Sequence, residues 1–290
     1  MRKSILITGA SSGIGQASVH HFSQAGYQVF ATYRSEHDGV VLSQLPHVYP
    51  LKLDVTSSTD IEWAVQAVSK QVGGQGLYAL INNAGVTYTA PFEYAEEARA
   101  RQVLEVNLVA PYRITQAFLP LLKQHNAHQA VKARVINVAS WAGQVGQPFI
   151  PFYNASKFGL LGLSESMYYD LGLLDIHVVV ACPGITKTPL LERTTRDGVI
   201  NLAGFPSSGQ RFYQAYFDHY RTMSEGSSDS AWFLTPEQVA NKLFRIVQTK
   251  RPKFKHNLAL DAKVVDALLT RFIPFRWRAA LNRRMFKLPR

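Results

Sequence analysis

The stretch Thr8-Gly-Ala-Ser-Ser-Gly-Ile-Gly15 stands between the short apolar run Ser4-Ile-Leu-Ile and a helical pattern running from Ile14 to Ala25. Gly9, Gly13 and Gly15 therefore fall at G-x-x-x-G-x-G spacing on a strand-to-helix junction. A chain reverses this tightly, and brings its backbone against a pyrophosphate, only where side chains are missing. The N–H groups of the first helical turn and the positive end of its dipole then face the anion. Ser11 and Ser12 add hydroxyls to the turn, and Ile14 sits between its last two glycines.

Downstream, short β-rich runs alternate with helical segments, the pattern of parallel strands joined by helical crossovers. The strands are expected at Ser4-Ile-Leu-Ile, Gln28 to Thr32, His47 to Asp54, Leu77 to Asn82, Arg134 to Val138 and Ile176 to Ala181, with a short last one near Leu258-Ala-Leu. A capping box at Thr59 and Glu62 predicts a helix reaching about Gln71, and a long helix from about Glu97 to His125 carries Asn107. Runs this apolar on both faces belong in a sheet covered on each side. The expected fold is α/β, a doubly wound, mostly parallel sheet of Rossmann type. It occupies residues 1–260 as a single domain, followed by a C-terminal extension at 261–290. Hydrophobic content of 47% and charged content of 18% fit a globular chain and exclude a disordered one.

Thirteen residues after Ser140 comes Tyr153-Asn-Ala-Ser-Lys157. A tyrosine and a lysine four apart on a helix share one face. An ammonium beside a phenol favours the phenolate, so Lys157 is expected to bring Tyr153 down from its ordinary value. A phenol tuned this way can donate or accept a proton while a bound cofactor moves hydride. Tyr-x-x-x-Lys alone is common, and so is a glycine-rich turn. Their joint occurrence in this order resembles the short-chain dehydrogenase/reductase family. The likeness is close over about residues 3–190 and looser afterwards, where it is nearest to the 17β-hydroxysteroid and retinol dehydrogenase branch.

The resemblance implies a catalytic set. Tyr153 would be the general acid–base, Ser140 would orient a substrate carbonyl, and Lys157 would tune the phenol and grip the nicotinamide ribose. Asn107 would hold a water linking Lys157 to solvent. It also implies a cofactor wall made of the glycine turn, Asp54 and Val55 after the third strand, and Asn83, Ala84 and Gly85 after the fourth. Pro183, Gly184, Ile185 and Thr188 would face the nicotinamide carboxamide. After the second strand, where an acid would accept from the ribose hydroxyls of NAD, the chain has Tyr33 and Arg34. Arg34 can form charge-assisted bonds to a 2′-phosphate, so NADP is the expected cofactor and NAD the alternative.

Residues 190–235 are expected to form a substrate lid. Its aromatics, Phe205, Phe212, Tyr213, Tyr216, Phe217, Tyr220, Trp232 and Phe233, together with Trp141, Phe149 and Phe152, favour an apolar alcohol or carbonyl substrate. The net charge of +11 lies almost wholly in the tail, where twelve Lys or Arg against two Asp leave residues 250–290 at +10. The tail's apolar positions 264, 265, 268, 269, 272 and 273 and its basic-aromatic stretch from Phe275 suit docking at the cleft rim or peripheral contact with an anionic membrane. Nucleic acid is excluded as a partner, because the remaining surface is close to neutral. The single cysteine, Cys182, forbids an internal disulfide. With no apolar run long enough to span a bilayer, a cytoplasmic protein is expected, with membrane contact at most peripheral. A homodimer or homotetramer is implied by resemblance. The competing reading is a weakly active NADP(H)-sensing or membrane-associated binding protein on the same fold.

Overall fold

The computed structural model describes residues 2–225, 233–264, 266, 273–285 and 287. Its centre is β1 (Ser4–Ile7), flanked by β2 (Gln28–Tyr33) and β4 (Ala79–Asn82). With β3 (Val48–Lys52), β5 (Arg134–Val138), β6 (His177–Cys182) and β7 (Lys255–Asn257) these make a seven-stranded sheet in the order β3-β2-β1-β4-β5-β6-β7. Every pairing among these strands is parallel. The order reverses between β1 and β4, which opens a crevice at the carboxyl ends of those strands.

Side-chain alternation sends the sheet's apolar residues into two cores. Ile5, Ile7, Val29, Ala31 and Ile81 face α1 (Gly13–Gln24) and α9 (Pro236–Gln248). Leu6, Phe30, Leu80 and Val135 face α3 (Ser58–Val72) and α5 (Ala110–His128). Ile5, Leu6 and Ile7 are fully buried, and each contributes roughly 2 kcal/mol by leaving water. The register Ile5↔Val29 and Ile5↔Ala79 fixes the glycine turn that follows β1 over the ends of its neighbours.

Several boundaries differ from expectation for identifiable reasons. The cap of α3 is Ser57, whose Oγ accepts from Asp60 N at 3.1 Å, two residues before the Thr59–Glu62 pair. The last strand lies at Lys255–Asn257, ahead of Leu258, and Leu260 opens the short helix α10 (Leu260–Val264). An edge strand only half-buried carries polar residues, so apolarity placed it a few residues late. The long helix is interrupted. The segment α4 (Glu97–Leu104) passes through a π-helical turn at Glu105–Val109 into α5, and Asn107 occupies that turn.

The remaining crossover elements are α2 (Glu36–Ser43), α6 (Pro151–Gly172), α7 (Pro189–Ala203) and α8 (Ser207–Glu225). At the C-terminal end α11 (Phe275–Met285) rests on the loop between Ser140 and Tyr153, where Asn282 Nδ2 donates to Gly146 O at 3.1 Å. Gln144 Nε2 in the same loop donates to Asn257 Oδ1 at 2.9 Å. Asn257 Nδ2 in turn donates to Asp266 Oδ2 at 2.9 Å. Val265, Leu268, Leu269 and Phe272 of the expected amphipathic stretch, and Trp232 of the lid, lie outside the described residues. No helix among the described residues is long and apolar enough to cross a membrane.

Candidate active site

The crevice at the switch between β1 and β4 is a cleft of about 980 Å³. Its floor begins at the glycine turn. Gly9 and Gly13 have φ of 61° and 53°, the left-handed region that favours glycine. A Cβ on Gly9 would lie 2.8 Å from Ala84 Cα, and one on Gly15 would strike the Gly9 carbonyl oxygen and lie 2.6 Å from Asn83 Nδ2. The turn is locked from beneath by the end of β4. Thr8 Oγ1 accepts from the backbone N–H groups of Asn83 (2.9 Å) and Ala84 (3.0 Å). Asn83 Nδ2 donates to the carbonyls of Thr8 and Gly9, both at 3.0 Å, and Gly9 N donates to Thr32 Oγ1 at 3.1 Å. Asn82 extends the bracing sideways through Asn137 Oδ1 at 2.8 Å. The result is a side-chain-free cradle at the N-terminus of α1, shaped to take the diphosphate of a dinucleotide.

At one end of the cleft lie Tyr33, Arg34, Asp54 and Val55. Burial pushes the Asp54 carboxyl up, but hydrogen bonds from the Thr56 N–H (2.9 Å) and hydroxyl (2.7 Å), with the charge of Arg34, leave it below its ordinary value. The first acid after β2, Glu36, is bound to Lys52 at 2.6 Å and does not line the cleft, although Asp38 does. Arg34 makes no ion pair of its own among the described residues.

Ser140, Tyr153 and Lys157 meet on the opposite wall. Ser140 Oγ accepts from Ala142 N at 3.1 Å and hydrogen-bonds the Tyr153 phenol. Burial raises Tyr153 above its ordinary value, and the Ser140 bond offsets only part of this. The expected lowering by Lys157 is absent. Nζ of Lys157 is 5.8 Å from the Tyr153 ring centroid and donates to Val138 O at 2.9 Å. Its own ammonium is pushed down to about 8 by burial. Two desolvated groups thus shift in the directions that favour their neutral forms.

Asn107 lies behind the wall. Its Oδ1 accepts from Val86 N at 2.8 Å, and its Nδ2 donates to Val86 O at 2.9 Å and Ser156 Oγ at 3.0 Å. Gly85 lies against this pair, since a Cβ there would stand 3.4 Å from Asn107 Oδ1 and 3.8 Å from Lys157 Nζ, ordinary contact distances. Pro183, Gly184, Ile185 and Thr188 close the cleft from β6. Thr188 caps α7 and faces Gly13, whose Cβ would be 3.1 Å from Thr188 Cγ2.

Every expected cofactor or catalytic residue therefore lines the cleft except Gly15 and Asn107, which brace it. Sequence reasoning missed Thr8 and Thr32, whose only signal was their position against the glycine turn. It also missed Arg99, Gln102, Gln147, Arg193 and Asp197, which line the cleft but look like ordinary helix or loop polars. The lid aromatics behave differently from expectation. Phe205 stacks on Tyr94 with centroids 4.5 Å apart, Phe217 packs on Phe149 at 5.1 Å, and Tyr213 donates to Glu93 at 2.7 Å. Of the aromatics named from the sequence, Trp141 and Phe233 line the cleft, while Phe149 and Phe152 do not.

The family model described as short chain dehydrogenase matches residues 3–198. The short-chain dehydrogenase ptmH of Penicillium ochrochloron is 34% identical, covering 94% of this chain and 95% of its own. Retinol dehydrogenase 5 of Mus musculus is 28% identical over 93% and 88% of the two chains. The NADPH-dependent 3-dehydrocapnine reductase of Ornithobacterium rhinotracheale is 29% identical over 88% and 87% of the two chains. Among solved structures, a short-chain dehydrogenase from Streptomyces avermitilis superposes with a TM-score of 0.73 at 24% identity, over 91% of this chain and 90% of that one.

Proposed function

This chain belongs to the short-chain dehydrogenase family, and from that premise we propose that it is an NADP(H)-dependent oxidoreductase interconverting a hydrophobic alcohol and its ketone or aldehyde. The observation that carries the proposal is the Tyr153 phenol on the cleft wall, hydrogen-bonded by Ser140 and backed by buried Lys157. A bound nicotinamide supplies the hydride. The chain's own residues handle the proton and the orientation. Raised by burial, Tyr153 keeps its proton through neutral pH and serves as the acid that protonates a carbonyl oxygen. Ser140, hydrogen-bonded to the phenol, stands beside the position of that same oxygen and would orient it by turning its hydroxyl from Tyr153 to the substrate. Lys157 provides positive charge beneath the tyrosine when a phenolate forms.

The residues present fit a dinucleotide. Gly9, Gly13 and Gly15 clear the backbone for its phosphates, and Arg34 favours a 2′-phosphate. Trp141, Ile150, Leu190, Leu191 and Phe233 give the reacting end an apolar lining. Outer positions Tyr112 and Phe158, on α5 and α6, are exposed and suit a homo-oligomer, which light scattering would size.

The deciding experiment is Tyr153→Phe, assayed by NADPH consumption on a panel of apolar ketones and aldehydes. Loss of turnover by about 100-fold or more, with NADPH binding intact, is expected. Retained turnover removes Tyr153 from its role. Silence of the unaltered protein on the whole panel favours a dinucleotide-sensing protein instead.

A further inference from the structure

The cleft contains two arginines that the proposed reaction does not use. Arg99 on α4 and Arg193 on α7 both line it, and neither forms an ion pair among the described residues. Arg99 touches the strip of chain at residues 86–90 directly, and Arg193 adjoins it through the neighbouring Thr194. The Arg99 guanidinium lies 5.3 Å over the Tyr88 ring, and the Tyr88 hydroxyl accepts from Glu96 N at 3.0 Å. Arg193 is held through its Nε–H, which donates to Pro189 O at 3.1 Å. The next residue, Thr194, accepts the Thr89 hydroxyl on its carbonyl at 3.0 Å.

This strip belongs to the reacting end of the cleft. Tyr88 is 3% exposed and packs in one cluster with Val103, Phe152 and Tyr153. The adenosine end, with Arg34 and Asp54, is walled by β2 and β3 instead. A guanidinium held over an aromatic face keeps its charge and presents N–H donors outward. One carboxylate, Asp197, lines the same wall, but Arg196 lies 3.7 Å from it and answers its charge. A cleft so equipped attracts an oxyanion, and the apolar side chains that share its lining, Ile150, Leu190 and Leu191 among them, accommodate a hydrocarbon.

We propose that Arg99 and Arg193 form a subsite for an anionic group, so that the substrate is an amphipathic carbonyl or alcohol with an apolar body and an acidic end. This rests on the oxidoreductase reading, and it narrows the substrate class from neutral apolar molecules to apolar acids. Charge-assisted bonds to an arginine fork are directional, so the acid fixes which carbon of the chain stands beside Tyr153.

The test compares a medium-chain keto acid with its methyl ester, using the full-length protein and NADPH. The unaltered enzyme is expected to favour the acid in kcat/KM by about tenfold or more, the scale of one or two charge-assisted bonds. Arg99→Gln and Arg193→Gln should each erase most of that preference, through KM more than kcat. Calorimetric titration of the corresponding hydroxy acid into the NADP-loaded protein, a readout needing no turnover, should show the same loss of affinity. No preference for the acid in either measurement overturns the proposal. So does a preserved preference accompanied by a raised KM for NADPH, which would assign the arginines to cofactor phosphate. If neither compound turns over but the hydroxy acid still binds in an arginine-dependent way, the subsite stands and the oxidoreductase reading fails.

Discussion

Lys157 donates to the carbonyl oxygen of Val138 at 2.9 Å, so the ammonium is anchored to the end of β5 before any substrate arrives. Burial outweighs that bond and places its deprotonation at about 8 instead of the ordinary 10.5. A rate that needs the ammonium should be level below pH 8 and fall as pH rises through it. The stability contribution has the opposite slope. With the folded value below the unfolded one, the unfolded chain binds more protons between about 8 and 10.5, so this group favours folding increasingly as pH climbs across that window. Falling activity with an undiminished melting temperature in this range is therefore expected. A pH–rate profile flat to pH 10 would remove the ammonium from the reaction.

Arg34 faces the cleft in the company of Asp38 and Asp54. Replacing it with glutamate would set three carboxylates around a 2′-phosphate. Arg34→Glu should shift the ratio of kcat/KM for NADPH over NADH by about tenfold or more towards NADH. Steady-state kinetics with both cofactors reads the ratio, and an unchanged value would separate Arg34 from cofactor choice.

Arg134 opens β5 fully buried, with no ion-pair partner among the described residues. Its Nη1 donates to Val247 O and Thr249 O, each at 2.7 Å, and its Nη2 to Lys132 O at 2.8 Å. The guanidinium also lies 4.8 Å over the Tyr78 ring. It therefore ties the C-terminal end of α9 to the sheet, on the side away from the cleft. Arg134→Met should strand these carbonyls and cost roughly 3 kcal/mol in urea unfolding, while KM values change little. A variant as stable as the original would show that water replaces those bonds without penalty.

On α11, Trp277 and Leu281 are exposed on the side of the helix that carries Arg284. Asn282 points the other way, onto Gly146. We expect this face to bind vesicles containing anionic phospholipid and to release them at high salt. Flotation unaffected by Trp277→Ser and Leu281→Ser together would count against a membrane role.

Much of this architecture was legible in the residues. Gly9, Gly13 and Gly15 announce a phosphate turn because no other residue tolerates that backbone, and β1 and β6 announce themselves by their apolar runs Ile5–Ile7 and Val178–Cys182. Lys255–Asn257 gave no such signal, since an edge strand gains its stability from ladder bonds to Val180–Cys182 more than from burial. The spacing of Tyr153 and Lys157 located a shared face but could not weigh desolvation against attraction, and desolvation wins. Aromatic content marked residues 190–235 as a lid. It could not show that Phe205 and Phe217 spend their rings on Tyr94 and Phe149 and not on a ligand. Arg99 and Arg193 were illegible, because a charged residue on an amphipathic helix looks the same whether it faces solvent or a cleft.

The bond from Gln144 to Asn257 joins the loop that carries the chemistry to a strand more than a hundred residues later in the chain. A ribosome would therefore complete the phosphate cradle long before the proton-handling wall has its brace. During synthesis the protein would pass through a stage able to grip a nucleotide yet without its final loop support. A chain cut short before residue 257 would be arrested at that stage, and would compete for cofactor without turning it over.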